Sequence, residues 1–127
     1  MEEFMLYIRN KKDAKKTVTA EKHLTFIKEC ETYIGILKSE NKLIAAQPLI
    51  REGIIIKKSN HHWIEKDIAT DEEIQVGYYH ILAKDIHEAI KIAKDNPEFK
   101  YVESATIEVR PIKTTENETG FVYPKEK

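Results

Sequence analysis

The chain has 127 residues, 41% of them hydrophobic and 34% charged, and a formal net charge of −1 from 21 basic and 22 acidic side chains. This length suits one domain with a single core, and the balanced charge gives no net field that would draw the protein to nucleic acid. No stretch approaches the roughly 20 apolar residues needed to span a bilayer, and the first residues do not resemble a signal peptide, so we expect a cytoplasmic protein with no membrane partner.

The chain begins with a predicted strand and a long predicted helix. Residues 4–9 alternate with a period of two, which is typical of a strand, and a polar loop is expected over residues 10–16. Thr19 is a suitable N-cap for a helix that should fade near Asn41, because asparagine tolerates the left-handed conformation that follows many last turns.

One face of this predicted helix is apolar and carries a histidine. At about 100° per residue, His23 falls near the middle of the apolar sector, and Phe26 and Tyr33 widen one edge of it. The apolar side chains that define the sector are Leu24, Ile27, Cys30, Ile34 and Leu37. We therefore expect this face and the imidazole on it to point at the core. The single cysteine should then be a small buried hydrophobe, with a reactive thiol as the alternative.

The middle of the chain is predicted to be β-structure. Residues 43–49 have too few polar side chains for a half-exposed strand and are too few for a helix, so they should form a buried strand. Residues 53–57 and 61–65 have the pattern of a hairpin that turns at Ser59 and Asn60. Residues 66–73 are predicted to be a loop.

A second strand–helix–strand run follows. Residues 75–83 form a clear strand pattern, in which Gly77 indicates a bulge or a close approach by another segment. The spacing of Asp85 and Glu88 matches a capping box, and the helix that it starts should end at Asn96 and Pro97. A last strand is expected over residues 105–110.

This order of elements predicts an α+β fold of the ferredoxin-like βαββαβ type with an inserted β-hairpin. Two helices would cover one face of an antiparallel sheet, within one domain at residues 1–113 and a loose tail at 114–127. The strands carry apolar residues on both faces, and a bare second face would exceed the apolar patch that monomers usually tolerate. We therefore expect a homodimer whose sheets pack face to face.

Several segments resemble the YCII-related family, including its DGPF-type branch. The matching pieces are His23-Leu24, SENKLIAAQPL ending at Leu49, VGYYHI from Val76, NPEFKYVES and the terminal EVRPI. They cover nearly the whole chain in the expected order. The resemblance implies the dimeric α+β barrel superfamily. It also implies a cleft between helix and sheet in which a histidine, matched here by His23, works with an aspartate as an acid/base pair.

The chain departs from the family pattern at three places. Gln47-Pro48 stands where the family usually has Gly-Pro, and Asn96-Pro97 stands where many members have Asp-Pro. The DGPF signature aligns with residues 65–68, where none of its four residues is retained. The acid partner of the histidine is therefore not assigned.

We predict His23 as the catalytic residue and Gln47 and Tyr79 as substrate-binding residues. A histidine titrates near neutrality and can serve as a general acid or base, while a structural histidine bonded to a backbone carbonyl or a tyrosine is the alternative. Tyr79, like Tyr7 and Tyr78, can stack on a planar ligand, although such residues more often form an interface core.

No metal or cofactor is expected. His61 and His62 are adjacent on a predicted strand and would point to opposite faces, and the chain has no HxH, HExxH or CxxC spacing and no glycine-rich phosphate loop. The function that follows is a small cofactor-free enzyme, a lyase, isomerase or hydrolase acting on a small molecule. A non-catalytic homodimer that binds a ligand or a partner protein is the alternative.

Overall fold

The computed structural model describes residues 1–11, 19–69 and 72–124, which form a sheet of four strands, a separate hairpin and three helices. Within these residues the elements are β1 Glu2–Lys11, α1 Ala20–Ser39, β2 Leu43–Pro48, β3 Ile54–Ser59, β4 His62–Asp67, β5 Glu73–Ala83, α2 Ile86–Lys94, α3 Glu98–Tyr101 and β6 Thr106–Pro111. The sheet is antiparallel with the order β2-β5-β1-β6, and β3 and β4 pair only with each other. The predicted α+β class and the inserted hairpin are therefore confirmed.

Both long helices pack on one face of the sheet. Alternate residues of β1 and β5 are buried there against Tyr33 and Leu37 of α1 and Ala89, Ile92 and Ala93 of α2. Leu6 and Ile81 at the centre are fully buried, and burial of such a side chain contributes about 1.5–3 kcal/mol. The core thus lies between the central strand pair and the two helices.

The caps explain where the helices begin. Thr19 Oγ1 accepts a hydrogen bond from the backbone N–H of Lys22 at 3.1 Å. Asp85 Oδ1 accepts from the Glu88 N–H, and the Glu88 carboxylate accepts from the Lys84 N–H, both at 2.9 Å. These reciprocal bonds satisfy amides that a helix start leaves without partners, so the predicted capping is confirmed at both helices.

Several predicted boundaries are wrong. Asn10 and Lys11 extend β1, and the rest of the predicted loop up to residue 16 lies outside the described residues. Lys66 and Asp67 complete β4, and Glu73 starts β5, while residues 70 and 71 of that predicted loop are not described.

The hairpin turn also differs from the prediction. It lies at Asn60 and His61, which both have positive φ, instead of at Ser59 and Asn60. Two successive left-handed residues match the right-handed twist of the flanking strands, so the strands extend to Ser59 and His62. His61 is thus a turn residue and not a strand residue.

The end of the described chain folds back on itself. Thr115 and Val122 form an isolated antiparallel bridge, and the Tyr123 N–H donates to the carbonyl oxygen of Thr114 at 2.9 Å. Phe121 and Tyr123 stack edge to face and stay exposed. Residues 125–127 of the predicted tail lie outside the described residues. No helix in the described ranges is long and apolar enough to cross a membrane.

Candidate functional site

A cavity of about 360 Å³ lies between α1, the end of β2, β5 and the segment that joins α2 to α3. Its walls are mainly apolar. The lining residues that the following argument uses are His23, Phe26, Gln47, Tyr79, Asn96 and Glu98. A mainly apolar concavity with a few converging polar groups is the usual form of a small-molecule site.

A larger concavity of about 590 Å³ between α1 and α2 is a poorer candidate. Three of its charged side chains already pair with one another, since Lys42 Nζ lies 3.5 Å from the Glu40 carboxylate and 3.6 Å from that of Glu88. Partly exposed ion pairs of this kind contribute little to binding or stability. We therefore take the smaller cavity as the candidate site.

Helix α1 presents a different face to the core from the one predicted. Phe26, Tyr33 and Leu37 are buried, and they fall within about 40° of one another around the axis. Leu24 and Ile27 are exposed instead. The aromatic edge of the predicted sector is the buried face, because the Tyr33 ring packs edge to face on Tyr79 with ring centroids 5.4 Å apart.

The expectation that His23 points into the core is wrong. The residue is exposed and lies at the cavity mouth, about 60° around the helix from the buried line of Phe26. Its backbone N–H donates to the Thr19 carbonyl oxygen at 2.9 Å in the first turn of the helix. The centroid of its ring lies 6.4 Å from that of the Phe26 ring. The aliphatic flank of α1 that was expected to be core forms the cavity wall instead.

Gln47 and Tyr79 reach the same cavity from neighbouring strands. Gln47 is an exposed residue near the end of β2, and Tyr79 is a buried residue of β5. The structure thus brings together the three predicted site residues, one each from α1, β2 and β5. Their roles in catalysis and binding stay predictions.

A bulge in β5 shapes this wall. The register between β1 and β5 shifts so that Ile8 faces Gly77 and Arg9 faces Gln75, which leaves Val76 as the extra residue. Both Val76 and Tyr79 consequently face the helices. Gly77 lies against β2, since a Cβ there would be 3.2 Å from the Gln47 carbonyl oxygen. The predicted bulge and the predicted close approach are both confirmed.

The inner end of the cavity is a buried polar cluster, in which Tyr79 and Asn96 line the cavity and Tyr33 packs on Tyr79. Burial raises the pKa of Tyr33 and of Tyr79 well above the usual value, and the neighbouring Asn96 amide partly offsets the rise in both. Tyr33 donates its hydroxyl proton to the Ile92 carbonyl oxygen at 2.7 Å. Both phenols therefore remain protonated at neutral pH.

Sequence reasoning missed Asn96 and Glu98. Asn96 Oδ1 accepts a hydrogen bond from the Glu98 backbone N–H at 2.8 Å, which is an Asx turn that starts α3. Both residues are buried, with 4% and 5% of their surface exposed. On sequence grounds Asn96-Pro97 is a helix end and a departure from the family's Asp-Pro, although an asparagine before a proline also favours such a turn.

The remaining histidines lie away from the cavity. His80 Nε2 lies 2.8 Å from Glu3 Oε1 on the opposite face of the sheet, where both side chains are partly buried. His61 and His62 are exposed at the hairpin turn. Within the described ranges, no group of three or more His, Cys, Asp and Glu residues is placed to hold a metal ion.

A scan against protein-family models found no match for this chain, and a search of curated proteins found none either.

Proposed function

We propose that the chain is a small protein of the YCII-related kind with the ferredoxin-like fold of the dimeric α+β barrel superfamily. The strand order β2-β5-β1-β6, with both long helices on one face, supports this proposal. So do the segments of sequence that resemble the family, which fall on α1, β2, β5, α3 and β6.

We propose that the cavity binds a small molecule and that His23 acts on it as a general acid or base without a cofactor. The observation that carries this is the convergence of His23, Gln47 and Tyr79 on one mainly apolar cavity from three separate elements. A side chain at the mouth can exchange protons with water between turnovers, while the apolar walls hold the substrate. The reaction classes that fit are those of a lyase, an isomerase or a hydrolase.

Binding is tested with a fragment library and ¹H–¹⁵N NMR. Hits should shift the resonances of Gln47 and Tyr79 and leave those of Thr32 and Ile36, which line the other concavity, in place. Hits confined to the other concavity, or none in this cavity, would contradict the proposed site.

Catalysis is tested on the hits by following hydrogen–deuterium exchange at their carbon atoms in D₂O. Exchange that depends on the protein should fall by about 100-fold or more in His23→Gln, because a positioned acid/base group contributes at least that much. His87→Gln is the matched control, since His87 is an exposed helical histidine outside the cavity. Activity retained within about threefold in His23→Gln would end the catalytic role.

The second candidate function is a non-catalytic binding module. It is favoured by the surroundings of His23: among the residues that the structure describes, no acidic side chain hydrogen-bonds its exposed ring. Ligands that bind in the cavity without any proton exchange would support this function.

A homodimer forms the second part of the proposal. Met5, Tyr7, Tyr78 and Leu82 lie on the sheet face opposite the helices and are half-buried within one chain. Pairing this face with a second copy would cover its apolar side chains.

A further inference from the structure

We propose that the cavity selects compounds with an amide-type edge, in which a carbonyl oxygen stands beside an N–H group on a flat apolar body. Lactams, primary amides and cyclic imides have this edge. The proposal rests on the proposed small-molecule site and names the ligand chemistry that its inner end would recognise. It follows from a donor and an acceptor that lie two residues apart on one tight turn and line the same cavity.

Asn96 supplies the donor. Its amide orientation is fixed, because Oδ1 accepts from the Glu98 backbone N–H, so that Nδ2 carries the two protons. Nδ2 is buried and meets no acceptor at hydrogen-bonding geometry, although it lies near enough to the phenol oxygens of Tyr33 and Tyr79 to lower the pKa of both. An unmade hydrogen bond of a buried amide costs free energy, so a ligand carbonyl that accepts from Nδ2 would bind favourably.

Glu98 supplies the acceptor. The residue is 5% exposed and lines the same cavity. A carboxylate has about four acceptor positions, so it can accept from a ligand N–H in addition to the contacts that it makes within the chain. A hydrogen bond to an ionised carboxylate is stronger than a neutral one, and excluding water strengthens it further.

The position of Glu98 is fixed from two sides. The Asx turn holds its backbone, and α3 is tied to α1 because Glu29 accepts hydrogen bonds from Lys100 Nζ at 3.0 Å and from the Tyr101 hydroxyl. The Phe26 ring packs edge to face on Tyr101, with centroids 5.4 Å apart. The turn that carries the donor and the acceptor is therefore held in place, which reduces the entropy lost on binding.

The rest of the cavity requires an apolar ligand body. Ile8, Phe26, Ile34 and Val76 line the walls, and about 360 Å³ lies at the small end of the usual range for ligand sites. A fused bicyclic ring is of suitable size. A ligand that is charged throughout would lose its hydration against these side chains without compensation.

The test compares 2-quinolone with N-methyl-2-quinolone by titration calorimetry on the full chain. 2-Quinolone has both halves of the edge, and its N-methyl derivative lacks the donor. We expect 2-quinolone to bind about tenfold or more tightly, the usual consequence of losing one hydrogen bond to a charged group. 6-Methyl-2-quinolone carries the extra methyl group on the benzo ring, away from the edge, and should bind like the parent, which separates hydrogen bonding from steric exclusion.

Variants locate the effect. In Glu98→Met, which removes the acceptor at similar length, the preference for the N–H compound should fall to within about twofold. Glu31→Met changes an exposed carboxylate at the cavity rim and should keep the full preference. Equal binding of the two quinolones by the unaltered chain, or no binding of either, would overturn the inference, and so would a preference that persists in Glu98→Met.

The outcome is distinguishable from failure of the proposed function. Fragments that bind in the cavity without any preference for amide edges would leave the small-molecule site standing and overturn only the ligand class. Should Glu98→Met fail to fold, the comparison of the three quinolones on the unaltered chain still decides the question.

Discussion

Tyr33 and Tyr79 connect the stability of the core to the candidate site. Each packs on the other edge to face, one belonging to α1 and the other to β5, and both are buried. Edge-to-face pairs stabilise by about 0.5–1.5 kcal/mol beyond the area that they bury. A substitution at the inner end of the cavity should therefore also change the packing of α1 on β5.

These tyrosines predict a loss of stability at alkaline pH. Burial raises the pKa of both phenols in the folded chain, so the unfolded chain loses these protons first, near pH 10. Their contribution is complete below that pH and is lost as the pH rises toward the folded-state values. The free energy of unfolding, measured by urea titration, should fall from pH 9 to 11.

Phenylalanine variants identify the source of that slope. Tyr79→Phe and Tyr33→Phe should each make the decline with pH shallower, and the double variant should lose most of it. Tyr33→Phe should also cost about 1 kcal/mol at pH 7, because it removes the hydrogen bond to the Ile92 carbonyl. An unchanged slope in the double variant would assign the alkaline loss to other groups.

Two glycines on different elements make a matched pair for testing the approach of β2 to β5. At Gly77 a Cβ would lie 3.2 Å from the Gln47 carbonyl oxygen and 3.4 Å from the Pro48 Cα, and backbone atoms cannot move aside cheaply. At Gly35 nothing in the described structure lies within 4 Å. Gly77→Ala should therefore destabilise by about 1–3 kcal/mol, and Gly35→Ala should stabilise the helix by about 0.5–1 kcal/mol.

Thermal or urea unfolding measures both substitutions. Gly77→Ala should also shift the Gln47 resonances, because the end of β2 must move to admit the methyl group. Equal stability of the two variants would mean that β2 can move away from β5 at Gly77 without a measurable cost in free energy.

Elements set by local chemistry were predictable from the sequence. The alternation of β5 and the Asp85–Glu88 spacing depend on residues a few positions apart, and Gly77 signalled both the bulge and the contact with β2. Such features can be predicted without knowing which element packs against them, so periodicity and residue spacing are sufficient.

The rotation of α1 and the inner end of the cavity depended on distant residues. The predicted sector of α1 is wider than the buried face, and contacts with distant residues, such as the stacking of Tyr33 on Tyr79, bring its aromatic edge to the sheet. Asn96 and Glu98 enter the site because the short α3 is tied to Glu29, about 70 residues earlier in the chain. Neither relation has a local sequence signal.

Large apolar side chains are exposed on the described hairpin, and others are half-buried on the sheet face opposite the helices. The β3–β4 hairpin pairs only with itself and exposes Ile56 and Trp63 to 64% and 68%. On the sheet, Tyr7 and Tyr78 are direct partners on the open face. Isolated two-stranded hairpins are marginally stable in water, and large apolar patches mark interaction surfaces, so a second copy of the chain would stabilise this arrangement.

The proposed homodimer predicts a dimer in sedimentation at micromolar concentration. Tyr78→Glu would place a charge at the centre of the open face, where burial against a second sheet is costly, and should raise the dimer Kd by about 100-fold or more. Ile36→Glu on the exposed side of α1 is the matched control and should leave the dimer intact. Both variants should keep the circular dichroism of the folded chain, because neither site lies in the buried core. A monomer for the unaltered chain would refute the face-to-face dimer, since the hydrated sheet would then be stable alone.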